Sequence, residues 1–289
     1  RAPFFTASLI PMLVGAALAL TCRNPVAWYL LPLILFCGIC VHAGTNVLND
    51  YFDYKKGVDT PTSLGSSHVL TKRLLPPIAA LSYGIILLLI PFILGCMLVA
   101  IRGKIMLLIG IAGITAGYCY TGKPFCLKYH GLGNPLVFIM MGPLMVIGTY
   151  YALTGTYTSS VLITSLPVGF LVTAILTANN IRDSAHDRDA RITTFEIILG
   201  PAKACIFYDL LLISAYISIL IMALTHLHSW WILTPFASLP LALKNMRVLH
   251  AQKNDNSPDI SSIDVKTAQL HLVFGILFIA SLVIEAFPR

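Results

Sequence analysis

Apolar stretches about as long as a bilayer is thick make up most of this chain. A helix needs roughly 20 apolar residues to cross the hydrocarbon core of a membrane. The chain of 289 residues is 57% hydrophobic and 11% charged, whereas a soluble domain is about 25% charged. We therefore predict an all-α, polytopic membrane protein with nine transmembrane helices. The predicted spans are 4–22, 27–48, 75–100, 104–121, 133–153, 160–179, 202–225, 229–244 and 267–287.

Lysine and arginine are distributed unevenly between the two sides of these spans. Of the 19 basic residues, fifteen fall on the side where the chain starts, and the other side holds Arg23, Arg102, Lys104 and Arg289. Cytoplasmic loops are rich in Lys and Arg, so we predict a multi-pass protein of the cell membrane whose first side faces the cytoplasm. The basic residues do not form a stripe interleaved with exposed aromatic residues, so the net charge of +7 does not indicate nucleic-acid binding.

Two short stretches rich in Asn and Asp lie at the ends of the second and sixth spans. The first is Asn49-Asp50-Tyr51-Phe52-Asp53, running on to Asp59, and the second is Asn179-Asn180-Ile181-Arg182-Asp183, running on to Asp187. Each places Asn and Asp four residues apart, on one face of a helix. A carboxylate beside hydrocarbon is costly unless a partner compensates it. Mg²⁺ typically takes one or two carboxylates and completes its shell with phosphates and water, so the two stretches predict a metal–diphosphate site.

The rest of the chain adds bases but no second metal motif. We predict a single domain over residues 1–289 with a weak internal repeat formed by 49–59 and 179–187. Lysine and arginine residues on the same side of the membrane as these stretches can bind phosphate oxygens. Cys37 and Cys40 lie in an apolar run and are expected to pack as buried residues. The remaining expectations concern isolated polar residues: solvated charges at Asp255, Asp259 and Asp264, a hydrogen-bonded interior His42, His130 and His186 beside the acidic chamber, and solvated His226 and His228 on the far side.

The motifs resemble the UbiA superfamily of intramembrane prenyltransferases over almost the whole chain. The resemblance is carried by 49–60 and 179–189, and also by Arg1-Ala2-Pro3, Tyr120-Thr121-Gly122, Lys128-Tyr129-His130-Gly131-Leu132-Gly133 and Gly142-Pro143-Leu144. The six-residue step from Asp53 to Asp59 and the Asn-Asn-x-Arg-Asp form are similar to the menaquinone branch (MenA-like, 1,4-dihydroxy-2-naphthoate prenyltransferases) and its animal vitamin K relative.

The resemblance implies nine helices around a central cavity, in which two Mg²⁺ ions bridge the two motifs to an isoprenyl diphosphate. The metal ligands it implies are Asn49, Asp53, Asp59, Asp183 and Asp187. The diphosphate-binding residues are Lys128 and Arg182, with Lys72, Asn180 and His68 as further candidates. His68 stands where the branch usually has Arg, and Asn134 stands where it often has an acid.

The implied reaction transfers an isoprenyl chain to an aromatic acceptor, 1,4-dihydroxy-2-naphthoate, through an allylic cation. Aromatic faces at Tyr118, Tyr150, Tyr151 or Phe138 are candidates to shelter that cation. A motif Asp or Asp50 is the candidate base. Two alternatives stay open: the same chemistry on a glycerol-phosphate lipid or 4-hydroxybenzoate, and a cation-coupled transporter, which shares membrane helices, acids and a weak repeat. A soluble isoprenyl diphosphate synthase is excluded by the composition.

Overall fold

The computed structural model describes residues 2–61, 63, 65, 67–251 and 260–287, so Arg1, Asp255 and Asp259 lie outside the described residues. Within those ranges the fold is all-α. The helices are α1 (Thr6–Ala19), α2 (Leu31–Lys56), α3 (Pro77–Arg102), α4 (Lys104–Cys119), α5 (Gly133–Thr154), α6 (Ser159–Asp189), α7 (Phe195–Leu199), α8 (Pro201–Leu224), α9 (Leu239–His250) and α10 (Ile263–Ala286).

Six of these helices have the length and composition of membrane spans: α2 with its preceding turn, α3, α5, α6, α8 and α10. The apolar helices α1 and α4 are shorter. The predicted eighth span is divided between a 3₁₀ segment, Trp230–Ser238, and α9. Pro235 lies inside that 3₁₀ segment and cannot donate a backbone hydrogen bond, which accounts for its departure from a regular α-helix.

Both acidic stretches lie on continuous helices, which run further than the hydropathy indicates. α2 continues eight residues past the predicted end of its span and stops at Lys56, where Gly57 takes the left-handed conformation. α6 continues to Asp189. Polar residues end a hydropathy window but do not end a helix, because their side chains find partners inside the bundle. The four-residue spacings therefore do set side chains on one helical face.

A local irregularity in α5 shapes the wall of the bundle. Residues Met140–Leu144 form a π-helical turn that contains Pro143, and a proline inside a helix removes a backbone donor and disturbs the regular bonding. At this turn α5 approaches α6 so closely that a Cβ on Gly142 would lie 2.6 Å from the Cα of Gly169.

The most buried of the six long helices is α6, which packs against α1, α5, α8 and α10. The core beside it holds large apolar side chains such as Leu171, Phe274 and Phe278. By contrast, α3 exposes Phe92 and Ile93 on its outer side. This inverted pattern, with apolar residues outside as well as inside, is what contact with lipid requires.

Candidate active site

A cavity of about 560 Å³ brings the two acidic stretches together. Its walls come from α2, α4, α5 and α6, and the start of α10 and the segment after α2 complete them. Of the predicted residues, those that line it are Asn49, Asp53, Asp59, Lys128, Asn179, Asn180, Arg182, Asp183 and Asp187. Residues 130 positions apart in sequence thus share one chamber.

One face of α2 lines this cavity along its length. His42, Asn46, Asn49 and Asp53 all contribute to the lining, and their spacing of four, three and four residues is that of a single helical stripe. The ring of His42 meets Ser8 at 2.6 Å through Nδ1. This contact confirms the expectation of a hydrogen-bonded interior histidine.

Asp53 is the most heavily bonded residue of the first stretch. Its side chain is 3% exposed, and its two oxygens accept hydrogen bonds from Lys128 Nζ at 2.7 Å and from the Tyr129 hydroxyl at 2.7 Å. Lys128 also donates to Asn49 Oδ1 at 3.3 Å. Both oxygens of this carboxylate are therefore held in fixed directions.

The surroundings of Asp53 set the charge state of its partners. Burial lowers the pKa of Lys128, but the negative groups around it, Asp53 first and Asp187 among them, together outweigh burial and raise this pKa above its usual value. Burial, followed by the same carboxylate, raises the pKa of Tyr129. Lys128 is therefore a permanent cation, and Tyr129 a permanent hydroxyl donor, in the physiological pH range.

The second stretch carries its own ion pairs. Arg182 donates to both oxygens of Asp183, from Nε at 2.8 Å and from Nη2 at 2.7 Å, and its Nη1 bonds to Asp264. Asp187 is 4% exposed and lies within electrostatic range of Lys128 and Asp183. The expectation of a solvated Asp264 is wrong: it is 2% exposed, because the first turn of α10 brings it to the guanidinium group.

The segment that follows α2 is fastened to α6. His186 Nε2 lies 2.9 Å from Ser63 Oγ and also contacts the carbonyl of Val58. A Cβ on Gly65 would lie 2.6 Å from Asp183 Oδ2, so only glycine fits against this carboxylate. Asp59 is thereby held on the same cavity as the second stretch. His186 lines the cavity, as expected.

Sequence reasoning missed a buried carboxylate behind the second stretch. Glu196, in α7, is 2% exposed and accepts hydrogen bonds from Asn134 Nδ2 at 2.7 Å and Asn180 Nδ2 at 2.8 Å. Asn134 also donates to Thr177 Oγ1 at 2.9 Å. Burial raises the pKa of Glu196, and the two amides oppose that effect. The only available signal was an acid placed directly before the apolar run Ile197-Ile198-Leu199.

Several predicted residues lie elsewhere. Asp50, His68 and Lys72 are not among the described residues that line the cavity, and Lys72 is exposed. A helix turns about 100° per residue, so Asp50 points away from the stripe of its neighbour Asn49. His130 is outside as well, where its Nδ1 contacts the Cys126 carbonyl at 3.0 Å.

The proposed aromatic shelters also lie outside the cavity lining. Tyr118 packs against Phe52 and Phe138 packs against Phe170. Tyr150 and Tyr151 lie near the opposite end of the bundle, where Tyr151 donates to the Arg102 carbonyl at 3.0 Å. The tyrosine that does line the cavity is Tyr120. Its neighbour in sequence, Thr121, is 1% exposed.

At the far side of the bundle one further expectation is wrong. His228 is not solvated: its ring lies 2.8 Å from Thr164 Oγ1 and 3.0 Å from Glu285 Oε2. All seven cysteines are free thiols. Cys40 is buried, as expected, whereas Cys37 is half-buried.

The donor set fits a hard divalent cation that arrives with its substrate. No three His, Cys, Asp or Glu side chains in the described part of the chain are grouped closely enough to hold a metal by themselves. Mg²⁺ does not require such a group, because it usually takes one or two carboxylates and is completed by substrate phosphates and water. The carboxylates and amide oxygens that line this cavity are hard ligands of that kind.

Comparison with known proteins agrees with this chemistry. A profile of the UbiA prenyltransferase family matches residues 8–284. UbiA prenyltransferase domain-containing protein 1 from Mus musculus is 30% identical over 287 residues, which cover 97% of this chain and 81% of that protein. The 1,4-dihydroxy-2-naphthoate octaprenyltransferase of Bacillus subtilis (strain 168) is 30% identical over 288 residues, with coverages of 98% and 90%.

Solved structures share the fold at lower sequence identity. The apo structure of a UbiA homolog from Aeropyrum pernix K1 has a TM-score of 0.72 at 16% identity and covers 99% of both chains. A UbiA homolog from Archaeoglobus fulgidus bound to GPP and Mg²⁺ has a TM-score of 0.61 at 16% identity, covering 96% of this chain and 99% of the other.

Proposed function

Because the chain belongs to the UbiA prenyltransferase family, and is therefore a multi-pass membrane enzyme that transfers prenyl groups, we propose that its acceptor is 1,4-dihydroxy-2-naphthoate. The donor is an isoprenyl diphosphate bound with Mg²⁺. The name of the Bacillus relative supports the acceptor, and the GPP and Mg²⁺ bound to the Archaeoglobus homolog support the donor and the cation.

The charge of the cavity is the observation that carries the donor part of this proposal, an isoprenyl diphosphate bound with Mg²⁺. Among the described residues, five carboxylates and two basic side chains line it, which leaves an excess of negative charge when histidine is neutral. Such a chamber repels a free diphosphate and attracts divalent cations. It accepts a diphosphate only when cations come with it, which is the behaviour of a metal-dependent prenyltransferase.

We assign the ligands from the residues of the two acidic stretches that line the cavity. Asn49, Asp53 and Asp59 would hold one Mg²⁺, and Asp183 and Asp187 a second, each ion shared with the diphosphate. When bound, Mg²⁺ neutralises the charge that develops on the leaving diphosphate as the allylic C–O bond breaks. Asp50, His68 and Lys72 are not part of this assignment, because they do not line the cavity.

The two bases orient the diphosphate from opposite walls. Lys128 comes from the segment before α5 and Arg182 from α6, and both line the cavity. Their positive charges would stabilise negative charge on phosphate oxygens through charge-assisted hydrogen bonds. Asp53 and Asp264 fix the positions of these bases before substrate arrives.

The deeper part of the cavity suits the hydrocarbon chain. Its lining there includes Met140, Met141, Ile175 and Leu176, and methionines adapt to irregular apolar shapes. The ring of Tyr120 lies at the same cavity and supplies a π face for an allylic cation. We place α1–α6 and α8–α10 as nine passes of one domain in the cell membrane, with the cavity open to the cytoplasm.

The decisive experiment follows labelled geranylgeranyl diphosphate and 1,4-dihydroxy-2-naphthoate with purified protein, with Mg²⁺ and with EDTA. We expect a prenylated product and release of CO₂ only with Mg²⁺. Hydrolysis without transfer would overturn the acceptor, which is then sought among glycerol-phosphate lipids and 4-hydroxybenzoate. No turnover of any prenyl diphosphate would favour a transporter.

Two matched variants test the metal ligands on the same helix. Asp183→Asn removes a carboxylate from the cavity, and we expect it to abolish transfer. Asp189→Asn makes the same change at the exposed end of α6, outside the cavity lining, and should leave transfer unchanged. Wild-type rates in Asp183→Asn would refute the assignment.

A further inference from the structure

The amide of Asn180 faces two environments at once. Asn180 lines the cavity and lies three and seven residues before Asp183 and Asp187, on the same stripe of α6. Behind it, its Nδ2 donates to Glu196 Oε2 at 2.8 Å. Because its nitrogen is engaged by Glu196, the carbonyl oxygen is the polar atom of this amide that remains to serve the cavity.

Glu196 fixes that orientation. The other carboxylate oxygen accepts from Asn134 at 2.7 Å, so both oxygens of Glu196 are engaged by amide donors. Asn134 in turn donates to Thr177. All four side chains are at most 5% exposed, and a buried network of this kind holds its members rigidly because each lost hydrogen bond leaves a polar group unsatisfied.

We propose that Glu196 is a positioning residue of the active site: it holds the nitrogen of Asn180 away from the cavity, so that Asn180 acts as an oxygen ligand for the divalent cation and not as a donor to the diphosphate. This inference rests on the proposed function. It replaces the role that the family pattern implied for Asn180. It also gives the second stretch an amide ligand that corresponds to Asn49 in the first.

Exchange of acid and amide tests the orientation. Glu196→Gln keeps the shape but offers one acceptor oxygen in place of two, so one of the two asparagines must turn. Asn134 is also held by Thr177, so the residue that turns is Asn180. The double variant Asn134→Asp/Glu196→Gln exchanges the acid and the amide. The side-chain nitrogen at position 196 then donates to the carboxylate at position 134, and the side-chain oxygen at position 196 again accepts from Asn180. Asn180→Asp/Glu196→Gln places a carboxylate oxygen in the cavity whichever way the partner turns.

The measurement is binding of Mn²⁺ to purified protein by electron paramagnetic resonance, with inorganic diphosphate and no prenyl substrate. Replacing a residue that orients a ligand typically weakens metal binding about 10–100-fold, and we expect such a loss in Glu196→Gln. Both double variants should bind Mn²⁺ more tightly than Glu196→Gln. The matched control is Asp209→Asn, an acid-to-amide change in α8 at a residue that pairs with His250 outside the cavity, and its affinity should equal that of the wild type.

Two outcomes would overturn the inference. The first is that Glu196→Gln binds Mn²⁺ with wild-type affinity. The second is that Asn180→Asp/Glu196→Gln binds Mn²⁺ more weakly than Glu196→Gln while unfolding at the same temperature, which is the result expected if Asn180 donates to the diphosphate. Because the readout uses no acceptor, failure of the proposed acceptor in the transfer assay is distinguishable from failure of this inference.

Discussion

The Lys128–Asp53 pair sets a measurable cost for removing one charge from the active site. Nζ and Oδ2 are 2.7 Å apart, and the two side chains are 14% and 4% exposed. Removing one partner of a buried ion pair costs roughly 3–5 kcal/mol, because the other charge remains buried without compensation. Asp53 still accepts a hydrogen bond from the Tyr129 hydroxyl at 2.7 Å, so the loss of unfolding free energy in Lys128→Met should lie near the lower end of this range, about 3 kcal/mol.

A double-mutant cycle separates this interaction from other effects of each substitution. Asp53→Asn leaves the ammonium of Lys128 with neutral oxygen acceptors and should also destabilise the protein. The double variant buries no unpaired charge. Its loss of unfolding free energy should therefore be about 2 kcal/mol smaller than the sum of the losses in the two single variants.

The assay is thermal or denaturant unfolding in one detergent without added metal. Lys203→Met, at an exposed position of α8, is the control, and it should change the unfolding free energy by no more than about 0.5 kcal/mol. Additive losses, with a coupling below about 0.5 kcal/mol, would show that the two charges are not a buried unit and would refute the reasoning.

Neighbouring features give three further expectations. Burial lowers the pKa of Lys128, but Asp53 and the other negative groups around it raise this pKa overall. The stabilisation is therefore fully present below the unfolded lysine pKa of about 10.4 and is lost only as the pH rises through the folded-state pKa. Lys128→Met should lower the unfolding temperature by the same amount at every pH between about 7 and 9, and a difference between wild type and variant that narrows in this range would contradict this expectation. Gly65→Ala places a Cβ 2.6 Å from Asp183 Oδ2 and should lower kcat/KM roughly 100-fold by displacing that carboxylate. At Gly110 a Cβ meets nothing within 4 Å, so Gly110→Ala should leave kcat/KM unchanged. Equal kcat/KM values in the two variants would exclude a tight fit at residue 65. Inorganic diphosphate should stabilise the protein only together with Mg²⁺, raising the unfolding free energy by about 2.7 kcal/mol at a hundredfold excess over Kd. Stabilisation by diphosphate alone would contradict the excess negative charge of the cavity.

The helices and the pairing of the two acidic stretches were predictable from local pattern. Hydropathy and helical spacing depend on neighbouring residues, and they correctly indicated that Asn49 and Asp53 share a face, as do Asn179 and Asp183. The ends of α2 and α6 were placed too early, because hydropathy falls where the side chains become polar, while the backbone hydrogen bonds continue. A helix inside a bundle tolerates polar residues wherever a cavity or partner receives them.

The missed residues, Asp264 and Glu196, share a physical cause. Each is a single acid next to an apolar helix, and a single acid is usually solvated. Its burial is decided by a partner far away in sequence, Arg182 for Asp264 and Asn134 for Glu196. A carboxylate is buried in a protein only when such donors compensate the lost hydration, so the acids that escaped prediction are those whose side-chain partners are distant in sequence. Glu196 lies behind the second stretch and Asp264 beside it on the cavity wall, and each fixes a side chain of that stretch, Asn180 and Arg182 respectively.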